Sequence, residues 1–495
     1  MTSRLGGPAP TASGELGRSV GLLGFQRVAV AALGVIRTKI AASLLGPAGM
    51  GLLAQAISLQ DLLRSLSTLG SQNGFLKLVA QHRGEGDLRG LERLLASALF
   101  LYGGLAIAVA ATCALAAAPI ARAVFDDPTR VDLVVAVALS LLFLVPGVLV
   151  AKVFAGVLDY RSYALLAMGE SLIWVVAMAG LARAFGLSGA VWSLPTVELV
   201  ALLVGAALLH RRVLRPLGLE VALASPAPES LRRLLRLASA LALTSLTASA
   251  ATLFVRSEIV RSLGSSANGH YQVAWQVGQN YLAFLGAALW GYGMPRIANQ
   301  LSDPDAIVAT QNEFLRIALV AFAPGIVILL VTRGFWIPVL FTDAFLVAGT
   351  MLCWQLAGEL PAMLRQTMNI SLLPRERLGF LILQGIAYWS LWALVSCALL
   401  GRLGALAAAV GYLVANVVML IATYAYHRQV LGFRIDRTNR RLLASTLPMF
   451  ALATGLALSP SPLVGIWAPI GLVALWGVVH RADLRPLTLY LTSRR

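Results

Sequence analysis

The sequence has few charged residues for its length, and the two signs are unevenly represented. Only 12% of the 495 residues are charged, and 39 lysines and arginines stand against 22 aspartates and glutamates. Lysine is almost absent, since it occurs only as Lys39, Lys77 and Lys152. So little charge cannot cover the surface of a soluble domain of this size, and the composition therefore excludes a water-soluble globular protein.

Residues typical of disulfide scaffolds, metal sites and enzymes are also scarce. The three cysteines lie in apolar segments without a CxxC motif, and the five histidines are scattered without metal-ligand spacing. The sequence contains no Walker A loop, no GxSxG and no GxGxxG after a strand. We therefore predict no catalytic residue, no metal ligand and no cofactor, and we expect a protein that is not an enzyme.

Apolar residues dominate the chain and are grouped in long blocks. They make up 58% of the residues, and the mean hydropathy is +0.80. The blocks are about 20 residues long, which is the length of helix that crosses about 30 Å of hydrocarbon. The sequence therefore predicts an all-α polytopic membrane protein with about 14 transmembrane helices.

The predicted helices fall into two similar halves. We place six helices in residues 19–209, six in residues 237–426, and an additional pair, followed by a basic cytoplasmic tail, in residues 427–495. We expect the two sets of six to be pseudo-symmetric halves of the membrane part. Residues 1–18 are polar and rich in glycine and proline, so we expect a disordered cytoplasmic tail without the features of a signal peptide.

Basic residues lie mainly in the loops of one side of the membrane, at an imbalance of about five to one. This places the N-terminus in the cytoplasm and explains the net charge of +17 without a nucleic-acid partner. The linker 210–236 is strongly basic. Its run Ser230–Leu237 places leucines on one face and arginines on the other, which fits either a short interfacial helix or the first turn of the next span.

One stretch recurs half a chain later. In Arg37–Gln55, a Leu-Gly pair ends one apolar span and a glycine follows in the next span at Gly51. A degenerate copy, Arg256–Gly269, has the same Leu-Gly pair and a glycine at the same distance, Gly269. A repeated two-span unit with charges inside the membrane is typical of transporters, although two glycine-rich turns can also be similar by chance.

Charged residues inside the first repeat are candidate site residues. Arg37 and Lys39 lie in the first span, about 9–12 Å from its outer turn, so they either line a cavity or extend to the interface. Asp61 and Arg64 are three residues apart and share a helix face, near the middle of the second span. They form either a functional pair or a fixed structural pair.

The second half carries a different set of polar residues. Arg256, Glu258 and Arg261 repeat the outer placement of the cations. In the next span Gln279 takes the place of Asp61 by the repeat offset, within the helical stripe Gln272, Gln276, Gln279 and Asn280. Neutral amides both donate and accept hydrogen bonds, so they suit sugar hydroxyls, or they join helices.

Cations exceed acids in the outer half of these spans, which favours an anionic ligand such as phosphate or pyrophosphate. Glu359 and Arg365 flank Pro361 in a later span. The predicted substrate-binding residues are Arg37, Lys39, Arg64, Arg256, Arg261, Gln276, Gln279, Asn280 and Arg365. The predicted ion-coupling residues are Asp61, Glu258 and Glu359, since a carboxylate buried in a span can take up a proton.

The stretch Arg37–Gln55, together with Leu69–Ala80 after it, resembles the O-antigen translocases, the Wzx-type polysaccharide flippases. These belong to the multidrug/oligosaccharidyl-lipid/polysaccharide exporter superfamily. The resemblance implies two six-helix bundles around a basic cavity in the bacterial inner membrane. It also implies transfer of undecaprenyl-pyrophosphate-linked oligosaccharides, for lipopolysaccharide biosynthesis, from the cytoplasmic to the periplasmic leaflet. Membrane lipids, a polysaccharide polymerase and a chain-length regulator are the further partners it implies.

Other functions stay open at this point. The extra pair of spans after Tyr426 departs from the common family pattern and is known in lipid II flippases, so another lipid-linked glycan is an alternative substrate. A drug or cation antiporter of the same superfamily would need an acidic cavity, which the arginines disfavour. A membrane polymerase or ligase would need a large outer loop, and the longest outer segments, 119–130 and 332–344, are too short.

Overall fold

The computed structural model describes residues 12–221, 224–459, 461 and 463–480, and the side chains in these ranges except those of 12–20, 237–241, 280–292 and 463. Every regular element in these ranges is a helix. Seven of the described helices are long and apolar enough to cross a membrane. The predicted fold class, an all-α polytopic membrane protein, is confirmed.

The described chain forms two compact units. The first comprises the described residues of Met1–Leu45 and Ala56–Leu246, and the second comprises those of Gly46–Gln55 and Thr247–Arg495. Ten residues from the first repeat, Gly46–Gln55, thus belong to the second unit.

The helices of the first half of the chain are α1 (Ala12–Thr68), α2 (Gln72–Gly84), α3 (Leu88–Leu115), α4 (Ala117–Phe125), α5 (Val131–Gly156), α6 (Tyr160–Leu209) and the single turn α7 (Arg215–Leu217). Those of the second half are α8 (Pro228–Leu263), α9 (Ser265–Ala298), α10 (Pro304–Ile317), α11 (Ala323–Val331), α12 (Arg333–Leu340), α13 (Ala348–Asn369), α14 (Leu378–Leu403), α15 (Leu406–Val430), α16 (Arg437–Ala457) and α17 (Ala468–Val479). Single π-helical segments at His210–Leu214, Ala318–Phe322 and Leu463–Trp467 adjoin them.

Two of the helices are each two spans joined at a glycine. α1 has 57 residues, more than twice the length that crosses a bilayer, and its axis breaks at Gly46, whose φ is 61° and ψ −172°. α6 breaks in the same way at Gly186, with φ 59° and ψ −133°. Only glycine adopts a positive φ with an extended ψ without strain, so these residues permit the tight turns.

The same turns recur in the second half at a constant spacing. Gly264, between α8 and α9, has φ 85° and ψ 167°, and Gly404, between α14 and α15, has φ 58° and ψ −149°. Gly264 follows Gly46 at the same distance along the chain as Gly404 follows Gly186, and we call this distance the repeat offset. Two turns of the same conformation at one offset support the internal repeat that the sequence predicts.

Within the second unit the two repeats cross at glycines. A Cβ atom on Gly51 would lie 1.9 Å from the carbonyl oxygen of Ser265, and one on Gly269 would lie 1.9 Å from that of Pro47. The repeat offset relates these two contacts to each other, because it carries Pro47 to Ser265 and Gly51 to Gly269. The backbones therefore touch at a reciprocal contact that leaves no room for a side chain, which we call the glycine crossing.

Two segments outside the predicted spans are partly helical. α1 begins at Ala12, so the end of the predicted N-terminal tail is helical, while residues 1–11 lie outside the described part. The run Ser230–Leu237 of the basic linker is continuous with the helix that follows it. The reason is that α8 begins at Pro228 and continues to Leu263, with no glycine or further proline to interrupt it.

Candidate functional site

In the first unit the predicted cation Arg37 lies against an aromatic ring. Its guanidinium carbon is 3.7 Å from the centroid of the Trp174 ring on α6, which is a close cation–π contact. Glu170, one turn before Trp174, interacts electrostatically with the same guanidinium. Arg37 is half-buried and directed at the protein. This contact favours a site residue over a side chain that extends to the interface; Lys39 nearby is also half-buried.

The predicted Asp61–Arg64 pair is present in the same unit. The Arg64 Nη2 to Asp61 Oδ1 distance is 2.8 Å, and the side chains are 39% and 48% exposed. Arg64 also interacts electrostatically with Glu198 on α6, which is 9% exposed. The charged groups of the first unit thus lie close to one another, and the Asp61–Arg64 pair is still partly exposed.

In the second unit Arg256 is almost completely buried, with 2% exposure. Its Nη2 donates to Gln272 Oε1 at 2.5 Å, and its Nη1 donates to Asn268 Oδ1 at 3.4 Å. The rings of Tyr271 and Trp275 lie 5.4 and 6.0 Å from the guanidinium carbon. Amides and aromatic rings thus hold this cation inside the second unit.

Arg365 on α13 is held by a similar set of groups. It donates to Asn416 Oδ1 at 3.2 Å, and its guanidinium carbon is 4.9 Å from the Tyr388 ring centroid. A cluster of aromatic rings joins the surroundings of the two arginines. Its members are Tyr271, Trp275, Tyr388, Trp389, Trp392 and Tyr412. Trp275 and Trp392 are stacked, with centroids 5.4 Å apart.

Glu359 lies deep in the second unit, with 1% exposure. Its carboxyl group is beside the Tyr412 hydroxyl and the Gln355 amide, and a Cβ on Gly278 of α9 would lie 2.6 Å from its Oε1. None of the described residues forms an ion pair with Glu359. Arg365, six residues on, is directed at Asn416 instead.

The other predicted residues are less closely grouped. Arg261 pairs with Glu258 at 2.5 Å, and with 48% and 24% exposure the pair lies near the surface. Gln276 and Gln279 are half-buried, whereas the side chain of Asn280 lies outside the described part of the chain. The structure therefore brings only some of the predicted residues together, around Arg37 and Arg64 in one unit and around Arg256, Arg365 and Glu359 in the other.

Sequence reasoning missed several partners of these charges. Trp174 lies four residues after Glu170, so it shares that helix face, and this spacing was a usable signal. Asn268 lies inside the repeated stretch itself. Tyr388 and Asn416, by contrast, come from helices whose pairing with α13 no local pattern reveals.

The chemistry of the sites fits an anion that accepts forked hydrogen bonds. Each unit presents two arginines, and a guanidinium donates in pairs to phosphate-like oxygens. The aromatic faces in the second unit add surfaces that suit sugar rings. Among the described residues no three His, Cys, Asp or Glu side chains gather as a metal site would require.

Two repeated helical units with charges inside the spans define a polytopic membrane protein of the transporter type. Residues 40–349, well over half of the chain, match the family described as polysaccharide biosynthesis protein. The chain belongs to this family, which confirms the resemblance noted in the sequence.

Individual relatives agree with the family. The lipid III flippases of Escherichia coli (strain K12) and Shigella flexneri are each 27% identical over 386 residues, covering 78% of this chain and 91% of theirs. Among solved structures, the lipid II flippase MurJ in an inward closed conformation has a TM-score of 0.72 at 12% identity, covering 94% of this chain and 99% of its own.

A second solved structure shares the fold over less of the chain. An inward-facing multidrug resistance MATE family transporter of the MOP superfamily has a TM-score of 0.66 at 16% identity, covering 83% of this chain and 95% of its own. These two likenesses concern the fold.

Proposed function

We propose that the protein is a flippase that moves undecaprenyl-pyrophosphate-linked oligosaccharides, of the O-antigen repeat-unit type, from the cytoplasmic to the periplasmic leaflet by alternating access. The observation that carries the proposal is Arg256. A fully buried guanidinium that is held by amides and aromatic rings is costly in a membrane protein unless an anion uses it. The lipid III flippase relatives support a lipid-linked glycan as that anion.

The headgroup contacts are assigned by chemistry. Arg37 and Arg64 in the first unit, and Arg256 and Arg365 in the second, donate to the pyrophosphate. The rings around Trp275 and the half-buried amides Gln276 and Gln279 face sugar units. Arg261 is exposed and paired with Glu258, so the proposal leaves both of them out of the binding site.

Orientation and energy also enter the proposal. The excess of loop arginines on one side supports a cytoplasmic N-terminus, with the protein in the inner membrane of a bacterium. Outward movement of an anionic headgroup is then favoured by the inside-negative potential, by about 2.3 kcal/mol per charge per 100 mV. The empty protein returns with a proton on Glu359, whose carboxyl group lacks an ion-pair partner among the described residues.

A second candidate substrate is a lipid II-type glycan. The lipid II flippase covers 94% of this chain, against 83% for the multidrug transporter. Both candidates share the lipid pyrophosphate and differ in the sugars, so the arginine sites fit either.

Flipping by purified protein in liposomes tests the proposal. Wild type should move a fluorescent undecaprenyl-pyrophosphate-linked oligosaccharide, and Arg256→Ala should slow this at least about tenfold, because losing charged hydrogen bonds costs about 1.5–3 kcal/mol. Arg256→Lys, which keeps the charge and loses the fork, should lie between them. The rate of flipping of lipid II, measured in parallel vesicles, shows which of the two candidate substrates the protein moves.

Arg261→Ala is the matched control, since it removes an exposed arginine from the same helix and should change the rate less than twofold. Equal rates for wild type and Arg256→Ala would contradict the assignment of Arg256. No flipping of either lipid by wild type would contradict the proposed function.

A further inference from the structure

One buried amide joins the proposed headgroup site to the glycine crossing. We infer that Asn268 is a positioning residue: it holds Arg256 and fastens the crossing at the same time, so that an anion on Arg256 loosens the crossing. The inference rests on the proposed function, because it takes the lipid pyrophosphate to be the anion.

The two bonds of Asn268 use the two ends of its amide. Its Nδ2 donates to the carbonyl oxygen of Gly51 at 2.7 Å, and its Oδ1 accepts from Arg256 Nη1 at 3.4 Å. The side chain is completely buried, with 0% exposure, so water does not replace either bond cheaply. The orientation of the amide is therefore fixed jointly by Arg256 and by the backbone at Gly51.

The glycine crossing is a close backbone contact with no room for a side chain. Backbone faces backbone there, since a Cβ on either glycine would lie 1.9 Å from the opposing carbonyl oxygen. Close-packed contacts of this kind do not deform gradually and instead hold or separate. A change in the amide that ties Gly51 down is thus passed to the whole crossing.

An amide that bonds both to Arg256 and to the glycine crossing is present in only one of the two repeats. By the repeat offset, the position of Asn268 corresponds to Met50, which has no hydrogen-bonding amide. The first repeat therefore contributes no second amide to the glycine crossing. An amide at this one position of an otherwise reciprocal contact fits a function tied to Arg256. At the repeat offset Arg256 corresponds to Thr38, so its nearest counterparts, Arg37 and Lys39, are each displaced by one residue.

An anion competes directly with Asn268. The Arg256–Asn268 bond is long at 3.4 Å, while a pyrophosphate oxygen accepts charge-assisted bonds that are shorter and about twice as strong. When the guanidinium turns to the anion, the amide loses the partner that keeps its Nδ2 aimed at Gly51. The Gly51 bond then weakens, and the crossing opens.

Met50 offers a direct readout of opening. It is 4% exposed beside Gly51, so a cysteine there reacts with a membrane-impermeant maleimide only when the crossing separates. In a protein whose Cys113, Cys353 and Cys397 are replaced by serine, Met50→Cys is labelled with and without inorganic pyrophosphate. We expect pyrophosphate to raise the labelling rate at least threefold.

Substitutions of Asn268 separate its two bonds. Asn268→Leu removes both, so basal labelling should rise and no longer respond to pyrophosphate. In Asn268→Asp the ionised carboxylate still accepts from Arg256 but cannot donate to Gly51. This variant should also show high basal labelling, and it should bind pyrophosphate at least threefold more weakly because the carboxylate competes for Arg256.

Ser257→Ala is the matched control. It removes the 2.7 Å bond from Gln55 Nε2 to Ser257 Oγ, which also joins the two repeats but does not involve Arg256. Basal labelling should rise here too, while the threefold response to pyrophosphate should remain. A purely structural role for Asn268 would make the two sets of variants behave alike.

Calorimetric titration with pyrophosphate distinguishes failure of the coupling through Asn268 from failure of the headgroup site. If wild type binds pyrophosphate without faster labelling, or if Asn268→Leu keeps the full response, the coupling through Asn268 is wrong and the proposed binding site is not contradicted. If wild type does not bind pyrophosphate at all, both the proposed headgroup site and the coupling through Asn268 are wrong.

Discussion

The two halves of the chain carry the same repeat, but the two units place their charges in different surroundings. In the first unit Asp61 and Arg64 are about half-exposed and bonded to each other. In the second unit Arg256 and Glu359 are 2% and 1% exposed, among amides and aromatic rings. Exposed pairs exchange partners at little cost, whereas buried charges are fixed by their surroundings. We propose that the half-exposed Asp61–Arg64 pair of the first unit exchanges its partner for the anion, whereas the buried groups of the second unit bind the headgroup at Arg256 and take up a proton at Glu359.

The two repeats differ in their polar side chains and not in the backbone conformation of their turns. The turns at Gly46 and Gly264 have the same conformation. At the repeat offset the charged Asp61 is replaced by the neutral Gln279. A duplicated scaffold has thus kept its turn geometry and changed its polar residues.

The largest expected effect is the loss of stability when the glycine crossing, which both repeats form, is disrupted. Gly51→Ala and Gly269→Ala place a methyl group 1.9 Å from a backbone oxygen that cannot rotate away. We expect each to lower stability by about 1–3 kcal/mol, as overpacking does. Thermal unfolding of the detergent-purified protein, followed by tryptophan fluorescence, measures this.

Gly34→Ala is the control on the same helix, since nothing lies within 4 Å of a Cβ there. It should be neutral or stabilising by up to about 1 kcal/mol, through helix propensity. Wild-type unfolding of Gly51→Ala would show that the close crossing is not a feature of the folded protein.

A smaller effect should separate the two carboxylates. Glu359→Gln removes the buried carboxyl group of the described second unit, which has no ion pair among the described residues, so stimulation of flipping by a proton gradient should be lost. Asp61→Asn breaks a half-exposed pair and should leave stimulation in place, with a moderately lower rate. Flipping in liposomes with imposed proton or sodium gradients measures both.

Glu258→Gln serves as an internal control in that assay, because Glu258 is bonded to the exposed Arg261. Stimulation that survives in Glu359→Gln and disappears in Asp61→Asn would reverse the roles assigned to the two units.

The smallest effect concerns the aromatic contact of the first unit. Trp174→Leu keeps a smaller apolar side chain next to Arg37 and removes the ring face, which contributes about 0.5–1 kcal/mol at partly exposed sites. Pyrophosphate affinity should fall about two- to fivefold, and Trp174→Phe should restore part of it. Unchanged affinity in Trp174→Leu would place the Arg37 guanidinium outside the binding site.

Much of the fold follows from the sequence because membrane spans depend on local composition. Blocks of apolar residues give the spans, and the Leu-Gly pairs at Gly46 and Gly264 give the turns. The Asp61–Arg64 pair was also predictable from its spacing of three residues. Such features need only neighbours in the chain.

The second site was much less accessible to prediction. Arg365 meets Asn416 and Tyr388 from two other helices, and Glu359 meets Gly278 from a third. These contacts depend on helix pairing and rotation, which a single sequence does not specify. The same limit applies to Tyr412, which lies beside the Glu359 carboxyl group.

The placement of Gly46–Gln55 in the second unit has a consequence for biosynthesis. Gly51 leaves the ribosome 217 residues before Asn268, its hydrogen-bond partner on α9. At about 5–20 residues per second, it waits roughly 10–40 s for that partner. During that interval the bare backbone face of Gly51 has no native neighbour, so the newly inserted first half depends on lipid or on insertion factors to cover it until α9 is made.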